Sequence, residues 1–269
     1  MIVEPNQTLC SPSEQLAFSI VAAGNALCDS NWHATELSPP YTRLYYILDG
    51  TGEVETQQGP LHLTAGMLYM LPVGYSFSYH CADRMHQLYF HIHLTNPCGA
   101  DLLRGIDRIL TKPFSTAYMK QLLTLLRTDS VVSRGNLKAL LLADVFSLLS
   151  NDRIDIQNKQ LSEVVQKTLA FVSENLSASL TAKTIADKLY ISPTTVSHKF
   201  KAEMEISLGK YIDDLVMHRA ELLLINTNIP LSSISEELGF CDQFYFSRRF
   251  KEKYAISPLK YRKAHHLVK

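Results

Sequence analysis

No stretch of this 269-residue chain is apolar for the roughly 18 consecutive residues that a bilayer crossing requires, so no membrane-spanning helix is expected. Cysteine is scarce: Cys10, Cys28, Cys81, Cys98 and Cys241 are scattered, odd in number, and form no CxxC pair. A disulfide framework and a cysteine zinc site are thereby disfavoured, and a reducing cytoplasm is the expected setting. The start, "MIVEPNQTLCSPSEQ", has neither the basic end nor the apolar run of a secretion signal. Glycine and proline, eleven each, are too few for a fibrous or low-complexity chain. Net charge is missing too, with 26 Lys and Arg against 26 Asp and Glu.

That zero conceals an asymmetry. Residues 1–157 carry ten Lys or Arg and fourteen Asp or Glu, a balance of −4, so the remainder carries sixteen against twelve, or +4. The sign fits a C-terminal half that meets a polyanion. Residues 18–95 read as β: "RLYYILDG", "GEVETQ", "LHLTAG", "MLYMLP", "YSFSYH" and "HQLYFHIHL" are short, aromatic or β-branched, and broken by Gly, Pro or Asp. That rhythm predicts an antiparallel barrel or jelly roll. From 101 to 150 the spacing becomes helical, in "DLLRGIDRIL", "AYMKQLLTLLRT" and "NLKALLLADVFSLLS". The polar stretch 151–160 reads as a linker, and residues 161–269 read as all helix.

The last region repeats itself. "IADKLYISPTTVSHKFK" aligns with "ISEELGFCDQFYFSRRFK", Phe200 falling on Phe250 and Val196 on Phe246. Each half gives a short helix, a turn and a second helix. Ser192 is the expected N-cap of one with Pro193 at its first position, and Asp242 the N-cap of the other after Gly239 in the turn. Two tandem helix-turn-helix units, joined by a helix of about 20 residues, are the economical reading.

Over 162–263 the order of these elements, with the closing "SPLKYR", strongly resembles the DNA-binding domain of AraC-type transcription regulators. Glu205 and Ala255 depart from it, standing where the family has glycine after each recognition helix; a left-handed turn is expected there, with some strain. "RLYYILDGTGEV" and "GMLYMLPVGYSFSY" look like the two halves of a cupin, the sensor barrel usual in this family. The position that would hold the metal-binding histidine is Phe77, which has no lone pair to offer, so no metal, catalytic residue or other cofactor is expected. The resemblance implies an α+β chain of two domains: 1–150, a cupin-like β-barrel or jelly roll with flanking helices that senses a ligand and dimerises, and 161–269, an all-α double helix-turn-helix domain.

It also places base-reading positions on Thr194, Ser197 and His198 of the first unit. In the second, Gln243, Phe244, Ser247 and Arg248 face outward while Phe246 and Phe250 face the core. Gln suits adenine and Arg suits guanine, each through a bidentate pair. Lys199, Lys201, Arg249 and Lys251 are expected on phosphates, and the two helices in successive major grooves. In the barrel, strand parity groups Arg43 with Tyr45, and Tyr89 with His91 and His93; Trp32 and Tyr79 complete the candidate ligand set. Aromatic faces with Arg and His donors suit a sugar, and a plain barrel interior is the competing reading. The HxH of His91 and His93 reads as pocket or core rather than as a metal site.

The function expected is a ligand-responsive, homodimeric regulator that binds double-stranded DNA and a small molecule of the sugar class, with RNA polymerase a further candidate partner. The strip Leu137, Leu140, Leu141, Val145 and Leu148 is the expected dimer surface, with packing on the barrel as its competitor. The rivals are a constitutive DNA binder whose barrel only dimerises, and a cupin enzyme fused to a DNA-binding module.

Overall fold

The computed structural model describes residues 16–96, 100–154, 156, 161–254 and 256–265. Cys10, Cys98, Ala255 and half of the expected linker (155 and 157–160) lie outside these residues. The described chain forms two compact units, one holding everything up to Ile156 except Ala100, the other holding Ala100 and everything from Leu161.

Among the described residues the first unit has eight strands: β1 (Ala17–Cys28), β2 (His33–Leu37), β3 (Thr42–Thr56), β4 (Gly59–Thr64), β5 (Met67–Leu71), β6 (Phe77–His80), β7 (Met85–Thr95) and β8 (Leu110–Pro113). One layer runs β1-β7-β3-β5-β8 and the other β2-β6-β3-β4, all antiparallel. The long β3 serves both. Its register with β7 slips between Ile47 and Asp49, and Gly50 follows at φ 72°. A Cβ at Gly50 would lie 2.1 Å from the carbonyl oxygen of Arg84, so glycine is what lets the strand turn the corner.

Alternate residues of a strand face opposite ways. Leu44 and Tyr46 of β3, with Leu88, Phe90 and Ile92 of β7, build a core on the outer side of the larger layer. Helices α1 (Thr116–Arg127) and α2 (Val131–Asn151) cover that side. Tyr45, Ile47, Tyr69, Leu71 and Met85 face inward and meet Val54, Leu63 and Phe77 between the layers.

Two expectations are corrected here. Leu137, Leu141, Val145 and Leu148 are buried against the sheet, and Leu140 packs against the same core, so the strip is barrel cover rather than a free dimer surface. "DLLRGIDRIL" is no helix: Asp101 bridges to Thr95, residues 102–105 turn, with Gly105 at φ 90°, and Leu110 opens β8. Its leucines were spaced for a helix but bury as an irregular segment closing on the sheet, Leu103 and Leu110 both inside. One polar group pins α2. The buried Asp144 carboxylate accepts hydrogen bonds from Tyr46 and, at 2.6 Å, from Tyr118, and pairs with Lys112 Nζ at 2.6 Å.

The second unit is helical: α3 (Glu163–Glu174), α4 (Ala182–Leu189), α5 (Pro193–Met204), α6 (Leu208–Asn226), α7 (Leu231–Glu237), α8 (Gln243–Tyr254) and α9 (Pro258–His265). Its core draws on both repeats at once, since Val196 and Phe200 belong to the same cluster as Phe246 and Phe250, with Ile212, Val216 and Leu224 of α6 between the repeats in sequence.

Candidate DNA-binding face and sensor interior

The recognition helices begin where their caps dictate. Ser192 Oγ accepts from the Thr195 N–H at 3.1 Å and Pro193 follows it, while Asp242 Oδ1 accepts from the Tyr245 N–H at 2.7 Å. That bond, more than any other contact, holds the Asp242 carboxyl below the usual range. In α5 the helical period buries Val196 and Phe200 and leaves Thr194, Ser197, His198, Lys199 and Lys201 exposed. In α8 it buries Phe246 and Phe250, leaves Phe244, Arg248 and Lys251 exposed, and leaves Gln243 and Ser247 half-buried.

Arg249 is placed differently. Its guanidinium donates to Asp213 of α6 at 2.6 Å and to Glu252 at 3.3 Å. Asp213 is also the chief reason its pKa is raised. Beside it Lys253 pairs with the buried Asp214 of α6. Tyr211 packs on Phe200 with ring centroids 5.2 Å apart, and Arg219 pairs with Glu237 at 3.5 Å. The connecting helix is therefore tied to both repeats.

The turns preceding the recognition helices are alike in backbone and unlike in side chain. Gly239 takes φ 73°, and Tyr190, in the matching place after Leu189, takes φ 56° and is 95% exposed. Glu205, capping α5, takes φ 58°. Non-glycine residues in this region carry about 1–2 kcal/mol of strain each. The strain expected at Glu205 is thus present, and Tyr190 adds a second instance.

In the barrel the two parity groups become one face. Arg43 lies opposite His91, and Tyr45 opposite Tyr89, as alternate rungs of the β3–β7 ladder that share one face. The Arg43 guanidinium donates to the Tyr45 hydroxyl at 2.8 Å and to the Tyr41 hydroxyl at 3.4 Å, and lies 5.5 Å from the ring centres of Tyr41 and Phe77. Burial, partly offset by Arg43, pushes the Tyr45 phenol up, so it stays protonated. The Trp32 ring lies tilted against Tyr79 with centroids 4.2 Å apart, and Tyr41 stacks on His91 at 4.3 Å. His93 is the exception among the named residues. At the far end of β7 its ring engages Asp101 at 2.8 Å. Glu36 is exposed, and its backbone N–H donates to Ser78 Oγ at 3.1 Å.

Two inward residues were not foreseen. Tyr41 precedes the strand, so strand parity did not reach it. Gln87 is buried, donates to Cys28 Sγ at 3.4 Å, and has a carboxamide oxygen with no hydrogen-bond partner among the described residues. The Cys28 thiol, pushed by burial up to about 12, is no nucleophile. Among the described residues no three His, Cys, Asp or Glu side chains are grouped to hold a metal ion, and no helix is long and apolar enough to cross a membrane.

Comparison with known proteins adds the following. Residues 21–160 match the family model of the AraC-like ligand binding domain, and residues 185–264 match a helix-turn-helix domain. The Msm operon regulatory protein of Streptococcus mutans is 25% identical over 253 residues, 89% of this chain and 90% of that protein. The arabinose operon regulatory protein of Escherichia coli is 29% identical over 133 residues, 48% of this chain and 46% of that one. In fold, the chain resembles ToxT of Vibrio cholerae, solved with an unsaturated fatty acid bound: TM-score 0.60, 11% identity, 92% of this chain and 94% of that one.

Proposed function

The chain belongs to the AraC family of transcription regulators, and on that premise we propose that its barrel binds a neutral sugar and that a homodimer thereby changes its hold on two DNA half-sites. It is a regulator with a ligand-binding and a DNA-binding domain, and its relatives are regulators rather than enzymes. The observation that carries the sugar reading is the pair of rungs Arg43–His91 and Tyr45–Tyr89, which set fixed donors among the rings of Trp32, Tyr41 and Tyr79. Similarity to the arabinose operon regulatory protein of Escherichia coli and the lactose operon transcription activator of Staphylococcus xylosus supports it. A long-chain carboxylate is the rival ligand, since a guanidinium in an aromatic interior would suit it too.

On the DNA side we assign base reading to Thr194, Ser197 and His198 in α5 and to Gln243, Phe244, Ser247 and Arg248 in α8. Phosphate contacts go to Lys199, Lys201 and Lys251, and Arg249 is assigned to bracing α8 on α6, because its donors already meet Asp213 and Glu252. Leu16, Leu27, Val131 and Val132 are apolar side chains left exposed on the first unit, and we assign the docking of a second copy to this set. Sedimentation of the full chain tests that stoichiometry.

The ligand test is calorimetric titration of the full chain with lactose, melibiose, arabinose and oleate. One saccharide should bind, Arg43→Ala should weaken it at least tenfold, and Arg43→Lys should restore little, because an ammonium lacks the planar fork that meets two oxygens. Binding of oleate alone would replace the sugar reading. Equal affinity in all three proteins would remove Arg43 from the site.

A further inference from the structure

We infer that Tyr245 is a positioning residue for DNA recognition: its ring holds the Arg248 guanidinium at the leading end of α8, set to meet a guanine edge. This rests on the reading of Arg248 as a base contact. The guanidinium carbon lies 5.3 Å from the centre of the Tyr245 ring, three residues earlier on the same helical face. Side chains on a helix lean toward its N-terminus. Arg248 therefore runs back over Tyr245 toward the end that, in helix-turn-helix proteins, enters the major groove.

The ring is itself fixed from behind. Tyr245 lies 6.1 Å from Phe240, which lies 5.2 Å from the fully buried Phe246. A line of rings thus leads from the core to an exposed cation. The carboxylate of Asp242, another three residues earlier, closes the same stripe: it bonds the Tyr245 N–H, and Arg248 contributes to keeping it ionised. Stripe 242–245–248 thus carries an anion, an aromatic face and a cation in order. Two attractions draw the long Arg side chain along one path.

Chemistry explains why that matters. A bidentate bond to guanine needs the guanidinium plane in one orientation, and a free Arg side chain loses much of its rotamer freedom in reaching it. Ordered over a ring, it has lost part of that freedom before DNA arrives. The first repeat has no such support. Thr195 stands in the place of Tyr245, and its hydroxyl is engaged with Ser192 Oγ at 2.7 Å, while His198 stands in the place of Arg248.

The test is binding-site selection from a random duplex library with the full-length protein, followed by affinity measurements on the selected site. Arg248→Ala should relax one operator position. Tyr245→Leu, which keeps apolar bulk against Phe240, should relax that same position and weaken binding about three- to tenfold, a loss in the range of one cation–π contact. Tyr245→Phe should behave as wild type, since it keeps the ring. In the Arg248→Ala background, Tyr245→Leu should cost almost nothing more, because it acts through the missing guanidinium. The positioning role is overturned if Tyr245→Leu and Tyr245→Phe act alike, or if the losses from Tyr245→Leu and Arg248→Ala multiply. An unchanged motif with Arg248→Ala overturns the base-reading assignment itself.

Discussion

The two helix-turn-helix repeats share a core and a backbone path, yet they differ in what they place around it. In the first, a tyrosine occupies the left-handed turn, the cap is an uncharged serine, and α5 carries no arginine. In the second, glycine occupies the turn, the cap is an aspartate, and an arginine lies over a ring. The lesson is that repeat identity resides in the buried positions: Val196 and Phe200 match Phe246 and Phe250 and fill one common cluster. The exposed positions differ, and on the base-reading assignment proposed above that difference would let the two repeats read different sequence.

If the repeats read unequally, the largest effect should come from the side chain with the most directional chemistry. Arg248→Ala is expected to cost about 1–3 kcal/mol in DNA affinity and to relax one position. Ser197→Ala, removing one hydroxyl that can pair with several bases, should change the motif less. A selection experiment that ranked the two the other way would reverse the proposed division of labour.

Next in size are the turns. Gly239→Ala should destabilise the second unit by about 1–2 kcal/mol, because the new side chain must take a left-handed conformation. Its Cβ would also meet Ser177 Oγ at 2.1 Å, forcing that hydroxyl from its bond to Ser179. Tyr190→Gly should do the reverse and weakly, stabilising by less than about 1 kcal/mol, since the relief of strain is offset by the greater freedom of glycine in the unfolded chain. Denaturant titration of the full chain measures both. A net destabilisation by Tyr190→Gly would show that the freedom of glycine in the unfolded chain outweighs the strain it relieves.

The smallest effect separates the caps by pH. The Asp242 carboxyl is held below its ordinary value of 3.8, so its help to α8 is complete above that value and is lost as pH falls through the lowered one. Ser192 does not titrate. On acidification, amide exchange in the first turn of α8 should quicken before that in α5. Simultaneous loss would mean that the cap charge contributes nothing local.

How much of this was readable in advance depended on the range of the interactions. The repeats were legible because aromatic and aliphatic residues at helical spacing, with Ser192, Pro193 and Gly239 as punctuation, act within a few residues of each other. The barrel interior was half legible: parity grouped Arg43 with Tyr45 and Tyr89 with His91. That the groups form one face follows from the register between β3 and β7, which parity within a single strand does not contain. His93 obeyed parity and still found Asp101. Leucine spacing misled twice, at 101–110 and along α2, because the same apolar period serves a partner, a sheet or no helix at all. Tyr245 could have been found, since an aromatic residue three before an arginine on a predicted helix is a local signal.

Asp144 bears on that ambiguity of leucines. Sliding α2 one turn along the sheet would exchange Leu for Leu or Val at most contacts, and an oily interface tolerates such substitutions. The carboxylate does not. Its partners come from three separate elements, Tyr46 from β3, Lys112 from β8 and Tyr118 from α1. A misregistered helix would leave it charged, dry and alone, at a penalty of several kcal/mol. A single acidic side chain thus works as the key in a lock of interchangeable pins, admitting α2 at one depth only.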